Sequence, residues 1–195
     1  MTPKVELAEV VRYMHMGRAA LDRELAGRVA SLVDDMRRVS RPVRVWRRLP
    51  LEDGAIVAGP ASIPVRGRFA AHLDGCGAVY LVCGSLGHGV DALQRRVSAV
   101  SGADALIVQA IGAAMMESWM DAVEDEIRAE LPGGESLAAR YSPGYGDFPL
   151  EAQREILSLL DAPRTVGVSL TDSLLMVPSK SVSAVIGVKP GREAR

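Results

Sequence analysis

The octapeptide GAVYLVCG, residues 77–84, sets six consecutive apolar side chains between two glycines. Side chains of a strand alternate between its faces, so a run that is apolar at every position belongs to a strand covered on both sides. The chain must therefore supply packing layers above and below this strand. Its 195 residues suffice for a substantial core and suit one domain. We expect a single domain over 1–195, with residues 1–40 as an N-terminal helical segment, 41–188 as the core and 189–195 as a tail.

Helices can form those layers. Thr2 and Pro3 read as an N-cap followed by proline in the first turn, with Leu7, Val10, Val11 and Met14 at helical spacing. After Gly17 a second helix is expected over Arg18–Val39, its apolar face made of Leu21, Leu25, Val29, Leu32, Met36 and Val39. Pro42 ends it, and VRVWRRLP begins a strand. Residues 50–64 read as short extended pieces between turns, and RGRFAAHL as one or two helical turns. Beyond the apolar strand, Val90, Leu93, Val97 and Val100 mark a helix, and Ser101 caps a longer one that runs until Pro132-Gly133-Gly134. A loop over 140–150, RYSPGYGDFPL, precedes a helix near 150–160 and strands at RTVGVSL, LLMV and SVSAVIGV. In the last of these, Val182, Ala184, Ile186 and Val188 alternate with Ser181, Ser183 and Gly187, the pattern of a half-buried strand. Three successive strand candidates at the C-terminal end predict an α+β fold, a mixed, partly antiparallel sheet packed with long helices, rather than a regular βαβ winding.

A net charge of −1 from 23 basic and 24 acidic residues gives no general attraction to nucleic acid or to an anionic membrane. No apolar run reaches the roughly eighteen residues a membrane span needs. The first residues lack the apolar centre of a secretory signal, and two cysteines make no disulfide framework. A soluble, cytoplasmic protein is expected. GCG at 75–77 and GSLGHG at 84–89 match neither a dinucleotide fingerprint nor a Walker loop, and they read as turns. The second lies between a strand and a helix, where amides are also able to cradle an anion. His72, Cys76, Cys83 and His88 fit no zinc spacing, and no nucleophilic triad assembles, so neither a metal nor a catalytic residue is assigned.

The loop at 140–150 holds more chemistry than a turn requires. Arg140 reads either as a surface arginine paired with Asp147 or Glu151, or as a guanidinium clamp for a ligand carboxylate. Tyr145, between Gly144 and Gly146, either plugs the core or projects a flat ring toward a ligand. On the long helix the stripe Met116, Met120, Val123, Ile127 and Leu131 faces the core, which leaves Glu117 beside Ala113, Ala114 and Asp121. Glu117 is thus either a solvated boundary residue or an acid above a face of small residues into which a chain segment or a ligand settles.

At these residues the chain resembles the activation domain of cobalamin-dependent methionine synthase. RYSPGY, Arg140 to Tyr145, is similar to the family's arginine, three residues ending in proline, then Gly-Tyr; LTDSLLMVPSKSVSAVIG, Leu170 to Gly187, resembles its LTES...P..SVS segment; and MMESWMDAVEDEIR resembles its glutamate-bearing helix. The likeness covers roughly residues 105–188. It implies that S-adenosylmethionine is bound, with Arg140 holding the methionyl carboxylate, the backbone at Pro143 and Gly144 against the nucleoside, Glu117 balancing the sulfonium and Tyr145 facing the corrin. Cobalamin would come from a partner chain, since no corrinoid-binding motif is present. The family's N-terminal ligand-binding aspartate, a glutamate falling near Gly134 with Glu135 as substitute, and a tyrosine pair after the final strand lack clear counterparts, and GYGDFPL replaces the usual Gly-Tyr-Pro continuation.

The resemblance implies a stand-alone reactivation module, an accessory part of a methyltransferase system. It would present S-adenosylmethionine for reductive methylation of cob(II)alamin on a partner methionine synthase or other corrinoid protein, with an electron donor protein as a further partner. The alternative is a docking or assembly subunit that grips a corrinoid protein without binding the donor. A nicotinamide-dependent oxidoreductase lacks its fingerprint here.

Overall fold

The computed structural model describes residues 3–14 and 22–191. The apolar run forms β4 (Ala78–Ser85), buried at every position after its first. β4 pairs antiparallel with β1 (Val43–Glu52) on one side and with β8 (Ser181–Lys189) on the other. β2 (Ala55–Ala58) and β3 (Ala61–Pro64) extend the sheet past β1, and β5 (Ser136–Tyr141) lies outside β8. The order is β3-β2-β1-β4-β8-β5, antiparallel at every step. β6 (Ser169–Leu170) and β7 (Met176–Val177) make a separate small hairpin.

Alternation along the central strands divides the core in two. Tyr80, Val82, Ala184 and Ile186 face a layer built from α1 (Leu7–Tyr13), α2 (Arg23–Val39), α4 (His88–Ser98) and α5 (Gly102–Glu130). Val79, Leu81, Cys83 and Val185 face the other layer, to which α3 (Gly67–His72), α6 (Ala152–Leu159), α7 (Ala162–Thr165) and the loop residue Phe148 contribute. The α+β class with an antiparallel sheet is therefore present, and the two-sided burial read from GAVYLVCG holds. The stripe on α5 also holds: Met116, Met120, Val123 and Ile127 are buried. Ser101 caps α5 by accepting a hydrogen bond from the Asp104 amide at 3.1 Å.

Five elements differ from the sequence reading. β8 is buried on both faces rather than one, because α3 and its following turn cover the side that carries Ser183 and Gly187. RTVGVSL is not a strand; Pro163 opens the short helix α7, and only Ser169 and Leu170 are extended. Arg140 and Tyr141 are not loop residues but the last two of β5, an edge strand with a bulge between Leu137 and Arg140 that erases the alternation. The first helix begins at Leu7 with Glu6 before it, and α2 begins at Arg23 with Asp22 as its cap. Thr2 and the stretch 15–21 lie outside the described residues.

Leu81 is wholly buried at the centre of the sheet. Leu81→Ala leaves a cavity there and is expected to destabilise the fold by about 2–5 kcal/mol. Urea unfolding followed by circular dichroism measures this, and a loss under about 1 kcal/mol would place Leu81 outside the core.

Candidate functional site

Arg140 leaves the edge strand β5 and reaches across to α5. Its Nη2 donates to Glu117 Oε2 at 2.8 Å and to Asp121 Oδ1 at 3.0 Å. Nη1 lies 2.9 Å from Glu124 Oε1, an ion-pair approach, but it is buried and its N–H directions miss that oxygen, so it makes no hydrogen bond. Residues 117, 121 and 124 are spaced by four and three, which stacks their carboxylates on one face of the helix. Three acids thus converge on one guanidinium, and the arginine leaves them in excess. Burial pushes the Glu124 carboxyl above its ordinary 4.5; Arg140 opposes this and Asp121 adds to it.

Neither Asp147 nor Glu151 is the partner of Arg140. The acid on the long helix and the arginine of the RYSPGY motif do meet, directly paired with each other. Glu117 also borders a hollow of about 280 Å3, with Lys4, Glu6 and Glu9 on one side and Glu117, Ser118 and Asp121 on the other. Ala114 is among its walls. A chain segment does settle on the small-residue face: Val10 of α1 is wholly buried, and the Lys4 amide donates to Ser118 Oγ at 3.0 Å. Pro143, Gly144 and Tyr145 do not line this hollow.

Pro143 is buried, whereas Gly144 and Tyr145 are exposed, Tyr145 at 73%. Tyr145 therefore does not plug the core. The turn that presents it is closed by backbone bonds from Tyr145 N to Ser142 O (3.1 Å), Phe148 N to Tyr145 O (3.0 Å) and Gly144 N to Phe148 O (2.8 Å). Asp147 fastens the turn to α3 by accepting from the amides of Arg68 (2.7 Å) and Phe69 (3.2 Å). Those bonds, the Arg68 amide first, hold its carboxyl below the usual value. Gly67, at φ +55°, admits the carboxylate, since a Cβ there would stand 1.9 Å from Asp147 Oδ2. Phe148 stacks on Phe69 at 4.0 Å between ring centroids, and Tyr141 packs against Phe69 at 5.3 Å.

A family model for the activation domain of vitamin B12-dependent methionine synthase matches residues 78–193. This chain belongs to that family. The match starts at β4 and takes in α5, β5, the Tyr145 loop and β8, so it covers every element that carries Glu117, Arg140 and Tyr145. A solved structure, the MetH reactivation domain bound to AdoHcy, is 17% identical and superposes with a TM-score of 0.59 over 100% of this chain and 83% of that chain. That likeness shows a shared fold. No curated protein sequence matches significantly.

The remaining candidates of this activation domain have structural duties. Glu135 forms a bidentate pair with Arg48 of β1 at 2.8 and 2.7 Å, away from Arg140. In GSLGHG, Gly87 and Gly89 pack against the backbone of Arg41 and Val39, where a Cβ would stand 3.1 and 2.2 Å from carbonyl oxygens. Cys83 is a core residue whose thiol burial pushes up to about 12, far from thiolate chemistry. Among the described residues no group of three or more His, Cys, Asp or Glu can hold a metal ion, and no helix is long and apolar enough to cross a membrane. Glu124 and the acids of the N-terminal arm escaped the sequence reading; the spacing from Glu117 pointed to Glu124, and nothing local pointed to Glu6.

Because its pKa is raised, Glu124 binds a proton more readily in the folded chain between 4.5 and its elevated value, so stability should fall as pH rises through that window. Asp147, whose pKa is lowered, contributes stability that is present above its ordinary 3.8 and lost as pH drops through its depressed value. The windows do not overlap. Glu124→Gln is expected to flatten the upper limb and Asp147→Asn the lower one in melting temperature measured against pH; limbs unchanged by these substitutions refute the assignments.

Proposed function

We propose that the protein is a cytoplasmic reactivation module that presents S-adenosylmethionine to cobalamin held by a methionine synthase or other corrinoid partner. The sulfonium gives up its methyl group, an electron donor protein supplies the electron that reductive methylation requires, and S-adenosylhomocysteine leaves. Bound cobalamin supplies the cobalt that accepts the methyl group. This chain's residues bind the donor and hold it in place, a contribution that works by converting an encounter into a positioned contact.

The observation that carries this reading is the 2.8 Å contact between Arg140 and Glu117 on the face of α5. The donor bears a carboxylate, an ammonium and a sulfonium. Its carboxylate can replace Glu117 on Arg140, where a planar guanidinium takes two oxygens together. Glu117 is then released toward the sulfonium. Arg140 keeps a carboxylate partner and Glu117 gains a cationic one, so the exchange strands neither member of the pair. Tyr145, held outward by its turn, is free to meet the corrin face of the partner.

A second reading, a docking subunit without donor binding, is favoured by one fact: the Nη2 of Arg140 is already engaged by two carboxylates. Calorimetric titration with S-adenosylmethionine separates the two. Donor binding that weakens by about 1.5–3 kcal/mol in Arg140→Ala supports the first, and absence of binding by the unaltered protein supports the second. Tyr145→Ala should leave donor affinity unchanged yet slow reactivation of the corrinoid partner; a drop in donor affinity instead would move Tyr145 from the partner face to the donor site.

A further inference from the structure

Resting on the reading that the Arg140–Glu117 pair receives S-adenosylmethionine, we propose that residues of the N-terminal arm and Asp121 make this site selective for the sulfonium over the neutral thioether left after methyl transfer. Four carboxylates line the hollow beside Glu117: Glu6, Glu9, Glu117 and Asp121, with Lys4 as the lining cation. Glu9 is paired with Arg12 at 2.6 Å, and Arg140 is shared among Glu117, Asp121 and Glu124. Among the described residues the acids therefore outnumber the cations that serve them, and the hollow keeps surplus negative charge. Glu6 has no ion-pair partner among the described residues.

The methyl donor carries two cations and one anion, a net charge of one positive unit that the surplus negative charge of the hollow attracts. S-adenosylhomocysteine has lost the sulfonium charge and is a neutral zwitterion, so the same surplus acid goes uncompensated when it is bound. Glu117 alone does not create this difference, because Arg140 is its counter-ion. The surplus comes from acids on two separate elements, Glu6 before α1 and Asp121 on α5, which the docking of Val10 and the Lys4–Ser118 bond bring to one hollow. Transfer of the methyl group removes the charge that holds the ligand, and product release follows from the chemistry itself. The reacting bond is unchanged from the reading above: the sulfur–methyl bond breaks, its electron pair stays on sulfur, and the thioether departs.

Isothermal titrations of the whole chain with S-adenosylmethionine and with S-adenosylhomocysteine, at low and at high ionic strength, test this. The sulfonium is expected to bind about five- to tenfold tighter at low salt, with the preference shrinking as salt screens the acids. Glu6→Gln and Asp121→Asn should each reduce that ratio by about two- to threefold, while Glu155→Gln, an exposed acid on α6, should leave it unchanged. Equal affinity for the two nucleosides, or a preference that ignores Glu6 and Asp121, overturns the selectivity and leaves donor binding standing. Failure of both to bind overturns donor binding itself, and the selectivity with it.

Discussion

The antiparallel pairing of β4 with β8 is the constraint from which the rest of the molecule follows. Both strands are covered on both faces, and eight residues of β4 pair in register with β8, from Ala78 with Val188 to Ser85 with Ser181. A sheet centre without a solvent face demands two layers, and each layer needs close approach to bury its apolar surface. One glycine on each strand permits it. A Cβ at Gly84 would stand 2.6 Å from Met120 Sδ, so α5 lies tight against β4. A Cβ at Gly187 would stand 2.6 Å from Cys76 Sγ and 2.9 Å from Leu73 Cδ2, so the end of α3 lies tight against the opposite face of β8.

That packing sets the geometry of the site. Met116 and Met120 point at the sheet, which turns Glu117, Asp121 and Glu124 toward the sheet edge where β5 runs. Arg140 sits at the end of β5 and pairs with Ile186 of β8 through the backbone, so its origin is fixed by the same ladder that fixes α5. Trp119 of α5, buried against the sheet, donates from Nε1 to the Val43 carbonyl at 3.1 Å and locks the rotation of the helix against β1. The carboxylates are therefore held on a rigid element and the guanidinium on another, the preorganisation that the proposed recognition of a zwitterionic donor calls for.

Features carried by strong local patterns were legible in the sequence: the doubly covered strand, the Met-rich stripe of α5 and its Ser101 cap; that Glu117 and Arg140 share one site was implied by the family resemblance alone, and their direct pairing was not foreseen. What escaped was set by tertiary contacts. β5 carries no alternation because it is an edge strand interrupted by a bulge, and its bonding partner is some fifty residues away in sequence. The burial of β8 on its serine face depends on α3, more than a hundred residues earlier. Glu6 enters the hollow through a hydrogen bond between Lys4 and Ser118, a contact with no trace in the local sequence around either residue. Of the two readings of Arg140, the surface pair with Asp147 or Glu151 fails in the same way: both are near neighbours in sequence, but the fold turns Asp147 away to the amides of α3.

At Gly146-Asp147, where the resemblance to the family implies a Gly-Tyr-Pro continuation, the backbone follows a path that proline does not allow. Gly146 has φ +56°, which proline, fixed near −65°, cannot adopt. The chain must therefore leave Tyr145 in a direction that a Gly-Tyr-Pro loop does not take. The new path brings a Cβ position at Gly146 to 2.5 Å from the Tyr141 hydroxyl, so the loop lies directly on the ring that ends β5, next in sequence to Arg140. It also delivers Asp147 to the first turn of α3 and Phe148 onto Phe69. Arg140 and Tyr145 are in this way clamped to one aromatic platform: Tyr141 joins the arginine to the platform from one side, and Asp147 with Phe148 joins the exposed tyrosine from the other. Under the proposed function, with the donor at Arg140 and the partner at Tyr145, those two groups need a fixed separation, and a glycine turn anchored by a carboxylate sets it.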